Sequence, residues 1–573
     1  MDRSRKLVGI GLLMVIMFGV GIRLIPILGT GATTLADLDP YRNLRAVNSI
    51  LDSGRIPTFD PLSAAPNATY NTYATSQGYY VLGVALTLIS GLDSVQMLAI
   101  SPVICEVALL LTIYVFGCVL TKHCGAGLVA AFFTTMMQGW AIDMIGTNPL
   151  AENFGAVIFP LVLFLFWKYV VHKKIVFLFF SGVILGTALL IHPIIYFYLS
   201  ITLFTYSIML CILEKKMGGI MSFLKVILIS SFAILIQFCS LMDFGSTINF
   251  THGAMWLTSL QPAHYFIDFN RLVLETGIST LFLGLLGIML TLLLRKCDYL
   301  IVVTWGTIMF AIIVLSLIAP MRSLLASLPF GGFIIFSHRV MAYLSSALSL
   351  LSGIVIVDYL LPLVSYITKS INLHSSTVSG KTALVVVVAI VGISLPSIQS
   401  YSVYAINYNT VMHYAPHFVS LFGWIEKNTK AGEIFIVNDI NLGELIRAFT
   451  KRPVVFTVSY QDLTTQDLEK RMWLQSSVFI RGYDDKIAQM LLHDFSVNYI
   501  IVVRAVFVTN IDICQKKYTV LPPEDSFSLY IKWIEEKPYL VEVYHDLDGQ
   551  FYIYSVDHER LFKGEILLPE LKP

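Results

Sequence analysis

Acidic residues in two segments of this 573-residue chain, together with one arginine, are of the types that bind metal ions or phosphate groups or transfer protons. In the first segment, 36–45, Asp37 and Asp39 stand beside Arg42 and Arg45. Carboxylates can hold a divalent cation or act as a general base, and guanidinium groups suit phosphate oxygens. On residue types alone, a solvated interfacial loop is an equal alternative.

The second acidic residue and the arginine each open a long apolar run. Glu152 would lie at the N-terminus of a helix, where a carboxylate also favours the helix dipole, so a capping role is the alternative. Arg339 would lie at the mouth of another run, where the alternative is an anchor whose charged end reaches the interface. We interpret His192, which precedes Pro193, as a structural residue at a kink in preference to a substrate contact.

The elements that must position these residues are membrane helices. The chain is 56% hydrophobic and only 13% charged, with a mean hydropathy of +0.75. Soluble domains carry about 25% charged residues. A net charge of +1 gives no reason to expect nucleic acid as a partner. We therefore predict an α-helical polytopic membrane protein embedded in a lipid bilayer.

Apolar runs long enough to cross about 30 Å of hydrocarbon give the number of spans. The stretch 79–97 is ambiguous, so we predict about 11 to 13 transmembrane helices. The runs lie near 7–28, 99–120, 125–142, 153–171, 175–191, 194–213, 222–241, 276–294, 299–319, 340–362 and 382–399.

The basic residues between the runs predict the orientation. If the N-terminus is cytoplasmic and 79–97 does not fully span, all the basic clusters between the spans fall on the cytoplasmic side. The predicted transmembrane domain, 1–399, then has outer loops at 29–98 and 242–275. Residues 400–573 form an extracytoplasmic or lumenal domain. We expect a multi-pass protein, with a prokaryotic cell membrane favoured over the endoplasmic reticulum.

The C-terminal region has the pattern of a small soluble α/β domain. Short apolar strands are predicted at 433–437, 453–458 and 497–503, and helices at 418–427 and 484–494.

In order along the chain, these segments resemble the catalytic subunit of oligosaccharyltransferases, within the GT-C superfamily of multispan glycosyltransferases that use polyprenyl-linked sugar donors. The segment 37–45, followed by 56–61, is similar to the first acidic motif of that family, with Asp39 at the place of its metal-binding aspartate. Glu152 matches the last acid of the second motif, where Leu150 replaces the partner acid. Arg339 resembles the arginine that contacts the donor pyrophosphate.

The segments that would read the acceptor depart from the family pattern. In the outer loop at 258–262, which also contains Gln261, Ser259 stands where the family has a glutamate. In the soluble domain, Asp439 alone matches the Trp-Trp-Asp-Tyr-Gly signature. The resemblance therefore predicts the architecture and the donor, and an acceptor other than an Asn-x-Ser/Thr sequon.

The resemblance implies transfer of a sugar or oligosaccharide from a polyprenyl phosphate or diphosphate donor to a protein, glycan or lipid acceptor. Asp39 and Glu152 would be the catalytic and metal-binding acids, with Mg or Mn as the divalent cation. Arg339 and Arg42 would bind the donor phosphate.

The alternative function is a transporter or lipid-handling scaffold without chemistry. Few polar residues interrupt the spans, the main ones being Glu106 and Gln237, which disfavours a substrate site at the bilayer midplane.

Overall fold

The structure is a computed structural model in which the chain forms two compact units. The first contains Met1–Pro40, Ala74–Asp243 and Thr247–Thr410, and the second contains Tyr41–Tyr73, Phe244–Ser246 and Val411–Pro573. The boundary predicted at 399/400 lies outside the described residues. These are 3–30, 35, 38–56, 62, 76–137, 151–215, 217–242, 269–318, 321, 337–363, 366, 415–455, 465–479, 485–504, 510–512, 517–519, 525–546 and 549–561.

The first unit is a bundle of apolar helices. The helices of the N-terminal two thirds of the chain are α1 (Arg3–Thr30), α2 (Leu38–Ser53), α3 (Gln77–Ser90), α4 (Ser94–Thr121), α5 (Cys124–Thr135), α6 (Ala151–His172), α7 (Ile175–Ile191), α8 (Pro193–Glu214), α9 (Gly218–Met242), α10 (Phe269–Thr276), α11 (Ile278–Leu293), α12 (Leu300–Leu317) and α13 (Ser337–Ile354). A 3₁₀ turn, Cys297–Tyr299, precedes α12, and a π-helical turn, Val355–Leu360, extends α13.

Within the described part of the chain, six helices are long and apolar enough to cross a membrane, namely those at α1, α4, α6, α8, α12 and α13. Five shorter apolar helices, α3, α5, α7, α9 and α11, accompany them. The predicted run at 382–399 lies outside the described residues. The prediction of an α-helical polytopic membrane protein is confirmed.

The ambiguous stretch 79–97 is not one span. Gly91 adopts a left-handed conformation with φ +69° and ends α3, because few residues other than glycine adopt it without strain. Asp93 then caps α4 by accepting the Gln96 amide at 2.8 Å. At 1.5 Å per residue, the 14 residues of α3 extend only about 21 Å, short of the hydrocarbon thickness.

The second unit has the predicted α/β character. Its elements are α14 (Ala415–Asn428), β1 (Ile434–Val437), α15 (Ile440–Thr450), α16 (Thr465–Phe479), α17 (Asp485–Asp494), β2 (Val497–Val503), β3 (Asn510–Asp512), β4 (Lys517–Thr519), α18 (Asp525–Glu535), β5 (Leu540–His545), β6 (Phe551–Val556) and α19 (His558–Leu561). A mixed sheet has the order β1-β2-β6-β5, with β1 parallel to β2 and the other pairs antiparallel.

Two of the three predicted strands are confirmed as β1 and β2, and the two predicted helices as α14 and α17. At the third predicted strand, 453–458, the described part contains only an isolated bridge between Val454 and Phe435. Residues 456–458 lie outside the described part.

Helix α2 is amphipathic, and from Tyr41 onwards it belongs to the second unit. Every third residue from Tyr41 to Ile50 is apolar and buried, which is the spacing of one helical face. These residues are Tyr41, Leu44, Val47 and Ile50.

A polar network closes one side of the second unit at the start of α17. The Asp485 carboxylate accepts hydrogen bonds from Lys537, from the Tyr539 hydroxyl at 2.7 Å and from the Gln489 amide at 2.9 Å. Burial opposes ionisation, but these donors hold the pKa of Asp485 below its ordinary value. The same carboxylate adds to the effect of burial in raising the pKa of Tyr539.

Candidate functional site

Glu152 and Arg339 form a buried ion pair. Glu152 lies in the first turn of α6 and is only 6% exposed, while Arg339 is the third residue of α13. Arg339 Nη1 is 3.2 Å from Glu152 Oε1, so the guanidinium compensates a carboxylate that burial would otherwise disfavour. Tertiary packing thus brings these two predicted site residues together. Their catalytic and donor-binding roles remain predictions.

His192 completes the group, which we call the Glu152 cluster: Glu152, His192 and Arg339. The Nδ1 atom of His192 accepts the Ile194 amide at 3.3 Å and so caps α8. The neutral ring therefore carries its proton on Nε2, which lies 3.8 Å from Glu152 Oε1 and 3.4 Å from Arg339 Nη1. The histidine is a helix cap, as its kink position suggested, and also a member of the cluster.

Three tyrosines lie within electrostatic reach of Glu152, and each is at most 1% exposed. They are Tyr79 on α3, Tyr198 on α8 and Tyr343 on α13. Gly155, one turn beyond Glu152, makes room for Tyr343, because a Cβ atom there would stand 2.8 Å from the Tyr343 hydroxyl oxygen. The cluster is therefore packed against buried aromatic rings, where a charge acts more strongly than in water.

The arrangement suits an anion. The side chains of Arg339 and His192 are 20% and 18% exposed, whereas that of Glu152 is 7% exposed. The donors of the cluster thus reach the accessible side, and the carboxylate lies behind them. A guanidinium held in this way is a good partner for phosphate oxygens.

The surroundings of Glu152 oppose the binding of a metal ion. A divalent ion on this carboxylate would stand about 5 to 7 Å from the guanidinium, at a repulsion of about 5 to 7 kcal/mol for an effective dielectric constant of 20. In the described part of the chain, no group of three His, Cys, Asp or Glu side chains could hold a metal ion. The metal-binding role predicted for Asp39 and Glu152 stays a prediction, and the guanidinium beside Glu152 would weaken the binding of a cation there.

Asp39 is the second residue of α2. Its side chain lies outside the described part of the structure, so its separation from the Glu152 cluster stays a prediction. Arg42, three residues later, is half-buried on the same helix. Its predicted contact with the donor phosphate also remains a prediction.

The predicted acceptor residues are only partly within the structure. Ser259 and Gln261 lie outside the described residues. Asp439 is half-buried and immediately precedes α15. Its neighbour Asn438 extends the β1–β2 pairing, because its side chain donates to the Val503 carbonyl at 3.0 Å and accepts the Val503 amide at 2.8 Å. Asn438 therefore has a structural role at this position.

Basic residues lie at the end of the bundle opposite to the cluster. Helices α6, α8 and α13 begin at the cluster. Helix α11 runs in the same direction as α13, because Gly284 packs on Leu348 and the later residue Gly287 packs on the later residue Leu351. The residues that follow α6, α8 and α11 in left-handed conformations are Lys173, Lys215 and Arg295. Cations at helix C-termini favour the helix dipole, and here they mark one end of the bundle.

A second ion pair is enclosed between α1 and α4. Arg23 Nη2 lies 3.5 Å from Glu106 Oε1, and both side chains are 0% exposed. Glu106, one of the two polar residues noted within the predicted spans, thus has an opposite charge beside it. The side chain of Gln237, the other one, lies outside the described part.

The sequence analysis did not place Tyr343 or His192 next to Glu152, and only for Tyr343 does the sequence contain a weak signal. Tyr343 follows Arg339 by four positions and so lies on the same face of α13. His192 is separated from Arg339 by 147 residues, and no local pattern announces that they meet.

No protein-family model and no curated protein matches the sequence. Solved structures do match. The archaeal oligosaccharyltransferase AglB from Archaeoglobus fulgidus, in complex with an inhibitory peptide and a dolichol-phosphate, has a TM-score of 0.60 at 13% identity over 96% of this chain and 74% of that chain. An Archaeoglobus fulgidus oligosaccharyltransferase solved in complex with Zn and sulfate matches with a TM-score of 0.56 at 14% identity over 95% of this chain and 72% of that chain.

Two further structures share the fold. ArnT from Cupriavidus metallidurans, bound to undecaprenyl phosphate, has a TM-score of 0.54 at 13% identity over 95% of this chain and 98% of that chain. The arabinofuranosyltransferase AftD from Mycobacteria has a TM-score of 0.54 at 12% identity over 97% of this chain and 40% of that chain. The chain therefore has the fold of the GT-C glycosyltransferases, and the resemblance noted in the sequence is confirmed at the level of the fold.

Proposed function

We propose that this GT-C-fold chain is an integral-membrane glycosyltransferase that moves a sugar or oligosaccharide from a polyprenyl phosphate or diphosphate donor to a protein, glycan or lipid acceptor. The observation that carries the proposal is the Glu152 cluster, in which a buried carboxylate, next to a helix-capping histidine, holds the Arg339 guanidinium in a partly accessible position. AglB and ArnT, which share the fold, were solved with dolichol-phosphate and undecaprenyl phosphate.

Displacement at the anomeric carbon assigns a role to each residue. An acceptor heteroatom forms a bond to this carbon, the bond from the carbon to the phosphate oxygen breaks, and its electron pair stays on the leaving phosphate. Asp39 takes the acceptor proton, and Arg339 balances the charge that develops on the phosphate. Glu152 holds Arg339 in place, and His192 lies beside both residues.

In its alternative role, Asp39 would hold a divalent cation, Mg or Mn, which would stabilise negative charge on the donor. Metal dependence is therefore a proposal, and the guanidinium beside Glu152 makes Asp39 the stronger candidate of the two predicted ligands.

The test is direct turnover by the purified full-length protein in lipid nanodiscs. Labelled polyprenyl phosphate mannose, polyprenyl phosphate glucose and polyprenyl diphosphate N-acetylglucosamine would be supplied with peptide, glycan and lipid acceptors. We expect one donor to lose its sugar to an acceptor, and Asp39→Asn to abolish this transfer. Saturable binding of these donors without transfer would contradict the proposal and favour a lipid-handling scaffold.

The proposed orientation places the N-terminus in the cytoplasm and the C-terminal unit on the extracytoplasmic or lumenal side. The basic residues at the end opposite to the Glu152 cluster support it through the positive-inside rule. An impermeant thiol reagent should label cysteines introduced at Ser63 and Ser459 from outside intact cells. The exposed native Cys297, at the basic end, should react only after permeabilisation. Labelling of one introduced site without the other would overturn the orientation.

We further propose that the acceptor is not an Asn-x-Ser/Thr sequon. The segment 437–441 lacks the aromatic and glycine residues of the family signature, and Asn438 is engaged in the sheet. A sequon peptide should therefore be a poor substrate. Efficient glycosylation that is lost when its threonine becomes alanine would contradict this.

A further inference from the structure

We infer that the C-terminal unit positions Asp39, the proposed general base, through helix α2. The inference rests on the proposed function, because it assigns positioning residues to that reaction. Asp39 lies in the first turn of α2, and the rest of this helix folds with the second unit.

The apolar face of α2 is seated on α15. The Tyr41 ring packs against Phe449 at a centroid distance of 5.2 Å, and Phe449 in turn stacks on Phe422 of α14. Tyr41, two residues after Asp39, is only 1% exposed. The first turn of α2 is therefore held by aromatic packing, which limits where the Asp39 backbone can move.

A buried ion pair fixes the next turn. Arg45 Nη2 lies 3.3 Å from Glu444 Oε1, with the two side chains 2% and 1% exposed. Arg447 lies 3.9 Å from the other Glu444 oxygen and donates to the Val454 carbonyl at 2.6 Å, so the pair belongs to a wider polar network. We call Tyr41, Arg45, Glu444 and Phe449 the α2 clamp.

Such a pair specifies geometry more than it adds stability. Two charges taken out of water gain little net free energy, whereas removing one of them leaves the other uncompensated. The polar pair therefore selects one position of α2 on α15, where apolar packing alone would tolerate a shift. Arg45 is six residues from Asp39, about 9 Å along a rigid helix, so a shift at the clamp is transmitted to the base.

The far end of α2 offers a matched control. Asp52 Oδ2 accepts a 2.6 Å hydrogen bond from Lys451, and both side chains are 60% exposed. This pair joins the same two segments of chain, but water screens it, so it contributes little to the position of the helix.

The experiment compares Arg45→Gln with Asp52→Asn in the full-length protein, by amide hydrogen exchange over 41–50 and by sugar transfer. Arg45→Gln is preferred over Glu444→Gln because it leaves Glu444 its second cation, Arg447. We expect at least roughly tenfold faster exchange and a roughly 10- to 100-fold lower kcat, with the donor KM unchanged, since a small misplacement of a reacting group has this cost. Asp52→Asn should change neither quantity.

A second variant, Arg45→Lys, guards against simple misfolding. It keeps a cation beside Glu444 and leaves the Glu444–Arg447 contact untouched, so exchange should return towards that of the wild type and transfer should partly recover. Unchanged exchange in Arg45→Gln would overturn the clamp. Faster exchange with unchanged transfer would overturn the positioning role and leave the proposed function standing. A wild-type protein that transfers no sugar would overturn the proposed function and the base together, while the exchange data would still decide the clamp.

Discussion

Replacing Glu152 by glutamine should tighten the binding of a polyprenyl phosphate. Arg339 Nη1 lies 3.2 Å from Glu152 Oε1, so a phosphate bound to the far side of the guanidinium would stand about 7 Å from the carboxylate. At an effective dielectric constant of 20, the repulsion is about 2 kcal/mol per unit of phosphate charge, which corresponds to roughly 30-fold in affinity. Removing the carboxylate charge removes that repulsion.

The assay is equilibrium binding of farnesyl phosphate to the protein in nanodiscs, which needs no knowledge of the sugar. Arg339→Ala should weaken binding by at least roughly tenfold, because it removes a charge-assisted hydrogen bond. Arg295→Ala, an exposed arginine at the opposite end of the bundle, is the control and should have no effect.

Weaker binding in the Glu152→Gln protein would refute this reasoning. That result is expected if Glu152 holds a divalent cation that bridges to the phosphate, because the loss of the carboxylate would then remove the cation. Repeating the measurement in EDTA separates the two cases, since only a metal-mediated site loses affinity in the wild type.

Three further predictions concern other parts of the chain. Asp39→Asn should lower sugar transfer by at least roughly 100-fold without loss of membrane insertion. The control, Asp52→Asn on the same helix, should leave sugar transfer unchanged. Transfer at the wild-type rate by the Asp39→Asn protein would rule out Asp39 as the base. Glu106→Gln should destabilise the bundle by about 3 kcal/mol, because it removes the carboxylate that faces the buried Arg23 cation. The measurement is thermal unfolding in detergent, and an unchanged unfolding midpoint would contradict the prediction. The lowered pKa of Asp485 means that its stabilisation is present above the unfolded pKa of about 3.9 and is lost as the pH falls through the folded pKa. Asp485→Asn should therefore increase proteolysis of the C-terminal unit at pH 7 but not at pH 3. The loss of unfolding free energy is at most about 1 kcal/mol, because the Asp485 side chain is 39% exposed. An equal effect of the substitution on proteolysis at both pH values would count against this prediction.

The sequence was a good guide wherever the physical cause is local. Apolar runs predicted the membrane helices because each run must hide its own backbone from lipid, and ten of the eleven predicted runs coincide with described helices. The ambiguous stretch resolved into two helices through Gly91 and Asp93, whose conformational and capping preferences are local as well. The strands β1 and β2 were predicted for the same kind of reason, as short apolar runs between polar turns.

Sequence also placed Glu152 and Arg339 at the starts of their helices, and the fold makes these two starts neighbours. It did not indicate that His192 joins them, since that depends on which helices pack side by side. Nor did it indicate that α2 folds with the C-terminal unit. Arg45 and Glu444 are separated by most of the chain, and a buried ion pair between such distant segments leaves no periodicity to detect.

Composition and hydrophobic patterning by themselves determined that this chain is a many-helix membrane protein with a small α/β domain. The reason is that each segment has its own pattern of apolar residues, which shows which of its surface must be buried. The motif order determined the expected superfamily. Only the tertiary structure decided that Glu152, His192 and Arg339 meet, and that the helix carrying Asp39 is held by α15. Both depend on charges that meet in one place only after distant segments have packed, and the low dielectric constant of that packed interior gives their contacts their strength.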